Sequence, residues 1–117
     1  LTDALGAKNG KAALQLLAEQ FAAGLSAEYL LAMFQRQFKI MLQIKVMQSQ
    51  ERLSESQLAS KLKLHPFVVK KGLSQSAKFS LNELQSSLDK LLLLDFKNKQ
   101  GQADIKSELF LLTADLS

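Results

Sequence analysis

The chain has 117 residues, 47% of them apolar and 22% charged, with a net charge of +4. That is one domain with material for a real core, and its mildly basic balance permits an acidic or nucleic-acid partner without requiring one. The absence of cysteine excludes a disulfide framework and a thiolate metal site and suits a reducing compartment, while no apolar run is long enough to span a bilayer and no secretory signal is visible.

Leucine dominates, β-branched residues are few, and five glycines and one proline leave little turn material. This favours an all-α fold, a compact bundle of about five to six helices. The chain begins on Leu1 rather than methionine, so a fragment of a longer protein is expected. Leu1-Thr2-Asp3-Ala4-Leu5-Gly6 reads as one helical turn, capped by Thr2 and closed by Gly6, within residues 1–8 as the end of a linker. Asn9-Gly10 starts the first full helix, with Leu14, Leu17 and Phe21 on one face and Gly24 as its stop.

Ser26 caps the next helix, which runs to about Gln50. Leu30, Leu31, Phe34, Phe38, Met41 and Leu42 form one stripe; Met33, Ile40, Ile44 and Met47 form a second. Polar residues keep to a strip through Arg36, Lys39 and Gln43. A helix apolar over most of its surface is expected to be central. Ser54 and Gln57 then have capping-box spacing, with Leu53 and Leu58 as the hydrophobic staple. That helix ends near Leu62.

Pro66 fits the first turn of the helix that follows, with His65 as its cap. It is expected to reach about Lys78, with Phe67, Val69, Leu73 and Ala77 facing inward. Ser80 and Glu83 repeat the capping box, and Phe79 and Leu84 repeat the staple. Leu84, Leu88, Leu91 and Leu92 are expected to carry the inward face of a helix ending at Lys99, before Gly101. Asp104 caps a last helix containing Leu109, Leu112 and Leu116. Short connections make neighbouring helices mostly antiparallel.

No catalytic, cofactor or metal site emerges. There is no Ser/His/Asp set in a recognisable context, no phosphate-binding glycine loop and no dinucleotide fingerprint. His65, the only histidine, reads as a helix N-terminal residue, because nothing at fixed spacing orients it as a base. Asp95 shares the helical phase of Leu88, Leu91 and Leu92, so it is expected to point near the core, with Lys99 at i+4 as its partner. The helices flanking Pro66 have the size of a helix-turn-helix unit, with Lys61, Lys63, Lys70, Lys71 and Lys78 around it. Its first-turn residues, Pro66 to Val69, cannot read base edges by hydrogen bonds. The lysines read as a solvated face, with phosphate contact left open.

The run Leu64-His65-Pro66-Phe67-Val68-Val69-Lys70-Lys71 resembles a motif in the C-terminal domain of the delta subunit of the bacterial DNA polymerase III clamp loader. The resemblance covers nearly the whole chain. Its other anchors are Asp95 with Lys99 and Gly101, Glu108-Leu109, Leu1-Thr2-Asp3-Ala4-Leu5 and Arg36-Gln37-Phe38. The His-Pro-Phe run is the specific part; the leucine spacing is not. Phe96 and Asn98-Lys99-Gln100-Gly101 differ in detail from the commonest wording.

The resemblance implies a role rather than a reaction. Residues 9–117 would be a collar-type domain that scaffolds the loader by joining like domains of the gamma/tau and delta-prime type subunits. The family's N-terminal region, absent here, binds and opens the sliding clamp. The family's delta subunit is not the ATP-hydrolysing one, the polymerase activity belongs to another subunit, and the setting is the bacterial cytoplasm. Leu64, His65, Pro66, Phe67, Asp95, Lys99, Gly101 and Glu108 are then structural motif residues. Lys63, Lys70, Lys71 and Lys78 are candidate contacts to DNA phosphates, without sequence preference. The rival is a basic helix-turn-helix-like nucleic-acid-binding module. Both the long helix and Leu88 to Leu94 are apolar on more than one face, so part of that surplus is expected on the surface, ready for a protein contact.

Overall fold

Side-chain caps mark where most helices begin. In the computed structural model, which describes residues Leu1–Leu116, seven α-helices are present and no strand is seen among the described residues. They are α1 (Thr2–Gly6), α2 (Gly10–Ala22), α3 (Ala27–Gln50), α4 (Glu55–Leu62), α5 (Pro66–Ser76), α6 (Leu81–Lys99) and α7 (Ile105–Ala114). Ser117, the last residue of the expected domain, lies outside the described residues.

Asn9 caps α2, Ser26 caps α3 and Asp104 caps α7. Both expected capping boxes form. Gln57 N–H donates to Ser54 Oγ at 3.2 Å while Ser54 N–H donates to Gln57 Oε1 at 2.9 Å. The Ser80–Glu83 pair closes in the same way at 3.0 and 2.9 Å. Each box satisfies two donors that a helix start otherwise leaves without partners.

Left-handed residues close several helices. Gly101, at φ 71°, follows α6; its N–H reaches Asn98 O, and Gln102 N–H reaches Lys97 O. This paired pattern favours glycine because the conformation crowds a Cβ. Lys8 (φ 57°) and Lys63 (φ 55°) fill equivalent places after α1 and α4 without being glycine.

The long helix α3 is the spine. It packs against α6, α5, α1, α7 and α4, while α2 covers α7. Phe34, Phe38, Met41 and Ile44 are fully buried on it. The main core joins Phe34, Phe38 and Met41 to Leu5, Leu17, Leu84, Leu91 and Leu109, while Ile44 packs toward Gly72 of α5. A separate small cluster of Leu58, Ala59 and Val69 lies between α4 and α5. Where α5 crosses α3, side chains of α3 fill the space over Gly72: a Cβ there would overlap Ile44 Cδ1.

The structure differs from the sequence reading at four places. First, residues 1–8, expected as the end of a linker, form α1 and dock into the bundle. Leu5 is fully buried, Asp3 pairs with Lys71 at 3.0 Å and Lys8 pairs with Glu83 at 2.6 Å. Leu1 rather than Thr2 is the N-cap, and Gly6 is buried inside the helix beside Gln75. Second, α5 stops at Ser76, and its inward residues are Val69, Gly72, Leu73 and Ser76; Phe67 and Ala77 are exposed. Third, Leu92 faces solvent, and Leu94 takes the inward place expected of it. Fourth, α7 ends at Ala114, and Leu116 is buried just beyond it.

Candidate protein interaction surface

The corner between α4 and α5 carries the most distinctive sequence run. Lys63, Leu64 and His65 form the turn, and Pro66 opens α5. His65 Nδ1 accepts a hydrogen bond from Phe67 N–H at 3.0 Å. Its ring therefore works as a helix cap, and the missing N–H of Pro66 leaves nothing unsatisfied there. Val69, one turn on, enters the small cluster against Leu58. Phe67 points outward at 58% exposure, with Lys71 Nζ 4.9 Å above its ring centroid. Lys71 also reaches Asp3, so the corner is tied to α1.

The four candidate phosphate contacts are not equivalent. Lys71 is engaged by Asp3 and the Phe67 ring. Among the described residues, Lys63, Lys70 and Lys78 are exposed and make no ion pair. Lys70 and Lys78 are eight residues apart, on α5 and just past its end, and Lys63 sits in the turn before it. They are strung along one element. The N-terminal residues of α5 present Pro66, Phe67 and Val68, which offer no hydrogen bonds for base edges.

Asp95 and Lys99 pair at 3.4 Å near the end of α6, two residues before Gly101. The pair lies on the rim of the helix, with Lys99 wide open to solvent, so it is an ordinary i,i+4 contact. Glu108 is exposed in the first turn of α7, where a carboxylate suits the helix dipole. Two carboxyls sit below the usual carboxylate range. Glu83 is lowered first by the hydrogen bond from Lys8 and then by Ser80 N–H; Asp104 is lowered by Ser107, through its hydroxyl and then its N–H. Both are capping groups on the surface. Among the described residues no group of three or more His, Cys, Asp or Glu gathers as a metal would need.

The uncovered apolar surface is the more informative feature. Leu92 and Phe96 lie one turn apart on the outer side of α6, at 52% and 58% exposure. They form a ridge away from the inward row of Leu84, Leu88, Leu91 and Leu94. Nothing in the spacing of the leucines separates Leu92 from the inward row. The direction is set by packing on α3, which buries Leu84, Leu91 and Leu94; Gln35 Nε2 of α3 also donates to Leu91 O at 3.3 Å. Sequence reasoning also missed Lys45, whose Nζ donates to Ser76 O at 3.2 Å and neutralises the C-terminal end of α5. No pattern within α3 alone signals that contact.

A seven-helix bundle among the described residues, with exposed apolar residues along α6, belongs to the class of small all-α domains. Comparison with known proteins narrows this. A family profile for the DNA polymerase III delta subunit, C-terminal domain, matches residues 1–115. The chain belongs to that family, in agreement with the resemblance carried by the His65-Pro66-Phe67 corner. The DNA polymerase III subunit delta of Bacillus subtilis (strain 168) is 36% identical over 85 residues, which is 71% of this chain and 24% of that protein. The solved structure of the Bacillus subtilis DNA clamp loader delta protein superposes with a TM-score of 0.87 at 28% identity, covering 98% of this chain and 34% of that one. The chain thus spans about a quarter of the length of the curated relative and a third of the solved one.

Proposed function

We propose that this domain is the collar-type oligomerisation domain of a clamp-loader delta subunit. It scaffolds the complex that places the sliding clamp on DNA during replication in the bacterial cytoplasm. Its partners are the like domains of the gamma/tau and delta-prime type subunits, while the clamp is met by the region N-terminal to it. The domain itself carries out no reaction in this reading and takes no cofactor. The observation that carries it is the exposed Leu92–Phe96 ridge on a folded, family-typical bundle. A stable interface needs apolar and aromatic side chains at its centre, and truncating such anchors removes a large share of the binding energy.

The test is the double variant Leu92→Glu/Phe96→Glu, placed in a full delta subunit and mixed with the other loader subunits. Both residues are exposed, so the bundle should fold with an unchanged denaturation midpoint. Incorporation into the complex should fall by about tenfold or more. Unchanged incorporation of a folded variant removes the ridge from the collar interface.

The basic-module alternative keeps one supporting observation, the unpaired Lys63, Lys70 and Lys78 along α5. Three cations in a row can meet phosphates, but the first turn of α5 offers no base readout. DNA binding should be weak, steeply salt-dependent and indifferent to sequence. Titration against primed and random duplexes over a salt series checks this; a strong preference for one sequence at physiological salt favours the helix-turn-helix reading.

A further inference from the structure

A second feature, with an apolar floor and polar sides, lies apart from the ridge. The sides of α6 and α7 splay to leave an open groove of about 810 Å³. Its floor includes the side chains of Phe79, Leu94, Leu112 and Leu116, and the exposed Leu93 and Leu111 stand at its lips. Leu92 and Phe96 are not part of it. Along α6 the lining runs from Asn82 to Lys97, a length of roughly 22 Å at the helical rise, or about four turns of a partner helix.

Beyond the Lys8–Glu83 pair at the start of α6, which neutralises itself, the two rims carry opposite charge. Lys90 and Lys97 line the α6 side; Asp104, Glu108 and Asp115 line the α7 side. Among the described residues no ion pair joins one rim to the other. A phosphate backbone would gain from the first rim and be repelled by the second. A purely apolar ligand would leave both rims unused. An amphipathic helix suits both: its apolar stripe meets the floor, and its two edges carry charges of opposite sign. We propose that the α6/α7 groove is a seat for such a helix from a partner protein, with acidic side chains along the α6 rim and basic ones along the α7 rim. The inference does not depend on the collar reading, since none of its residues belongs to the Leu92–Phe96 ridge.

Three synthetic helical peptides of about 16 residues, enough for four turns, test it. They share one leucine stripe and differ in their edges: one edge acidic and one basic, both acidic, or both basic. By fluorescence anisotropy the mixed peptide should bind at least about tenfold more tightly than either uniform one, since each uniform peptide sets like charges against one rim. Lys90→Glu/Lys97→Glu makes both rims acidic and should move the preference to the basic peptide. Leu111→Glu should weaken all three, and Leu92→Glu/Phe96→Glu should change none. All substituted positions are exposed, and unchanged denaturation midpoints verify folding. Equal binding of the three peptides, no measurable binding, or a preference that survives the Lys90/Lys97 reversal overturns the proposal. Displacement of the mixed peptide by a short DNA duplex, or self-association of the chain that Leu111→Glu abolishes, also overturns it, by assigning the groove to another occupant.

Discussion

The domain holds two apolar cores of unequal size. The main one draws on α1, α2, α3, α6 and α7 and buries Phe34, Phe38, Met41, Leu91 and Leu109 among others. The other, under the α4–α5 corner, buries Leu58, Ala59 and Val69. Burial scales with apolar area, so the main core supplies most of the driving force for folding. The corner relies more on local backbone devices: the Ser54–Gln57 box, the His65 ring on Phe67 N–H, and Pro66 in the first turn. The His65-Pro66-Phe67 run thus sits where burial is thin and where chain geometry does the specifying. A corner of this kind should open at lower free energy than the body of the bundle.

Side-chain deletions offer the largest break in that comparison. Phe38 is fully buried and packs edge-on against Phe79, with ring centroids 6.0 Å apart. Phe38→Ala should cost about 3–5 kcal/mol. Leu58→Ala in the small core should fall near 2 kcal/mol, the low end for leucine, because fewer neighbours lose contact. Denaturant midpoints measure both. Equal losses would show that the corner is as deeply integrated as the spine.

Next in size is the α3–α5 crossing, the seam between the two regions. Gly72→Ala puts a methyl into Ile44 Cδ1, the end of a side chain held in a buried site; overpacking costs about 1–3 kcal/mol, of which alanine's better helix propensity returns about 1 kcal/mol. Ile44→Val removes that terminal carbon. The double variant should therefore be more stable than the sum of the two single losses implies, a coupling that a double-mutant cycle reads directly. Additive losses would mean that α5 shifts as a body instead of meeting Ile44.

Much of this fold was legible in the sequence, for reasons that are local. Ser54 and Ser80 with their partners three residues on, Pro66 at N1 and Gly101 after Lys99 act within one turn of chain, so their spacing reveals them. The central place of α3 followed from its nearly continuous apolar surface. What was not legible depends on neighbours. Leu88, Leu91 and Leu92 are equally apolar, and only the docking of α3 decides that Leu92 faces water. Phe67 looks like a core residue until α5 turns Val69 and Gly72 inward and leaves it over Lys71. Residues 1–8 look like a tail because α1 is short. Their anchors, Leu5 in the core and the pairs Asp3–Lys71 and Lys8–Glu83, reach across 68 and 75 residues of sequence. The candidate surface was the least legible part, since an interface leucine and a core leucine are the same letter.

Removing one cap in each region compares them at a smaller scale. Ser54→Ala and Ser80→Ala should each cost about 1 kcal/mol. The body holds α6 by burial and the corner has less to fall back on, so amide exchange should rise through all of α4 in the first variant. In the second it should rise only in the first turn of α6. Equal, confined fraying in both would remove the distinction.

The smallest expected effect concerns the Ser80 box itself, where Lys8 adds an ion pair. Glu83 is lowered below the ordinary carboxylate range, first by the Lys8 hydrogen bond and then by Ser80 N–H. The sign follows from linkage. A carboxyl whose folded pKa is depressed contributes stability that is present above its unfolded pKa and is lost as pH falls through the folded value. The Lys8–Glu83 contact should thus be intact at neutral pH and fade only on the acid side of the normal glutamate titration. Lys8→Met keeps an unbranched apolar side chain and removes the charge that lies over the Phe79 ring. Its left-handed backbone is no more strained than before, since neither residue is glycine. In this variant Glu83 should titrate closer to an ordinary glutamate but still below it, because Ser80 N–H continues to donate. Asp104, held by Ser107 at the start of α7, should not move. Side-chain carboxyl shifts followed by NMR across the acid range measure both groups in one sample. A Glu83 titration unaltered by the loss of Lys8 would mean that the capping box alone sets its acidity, and that α1 is joined to the body through Leu5 rather than through its charges.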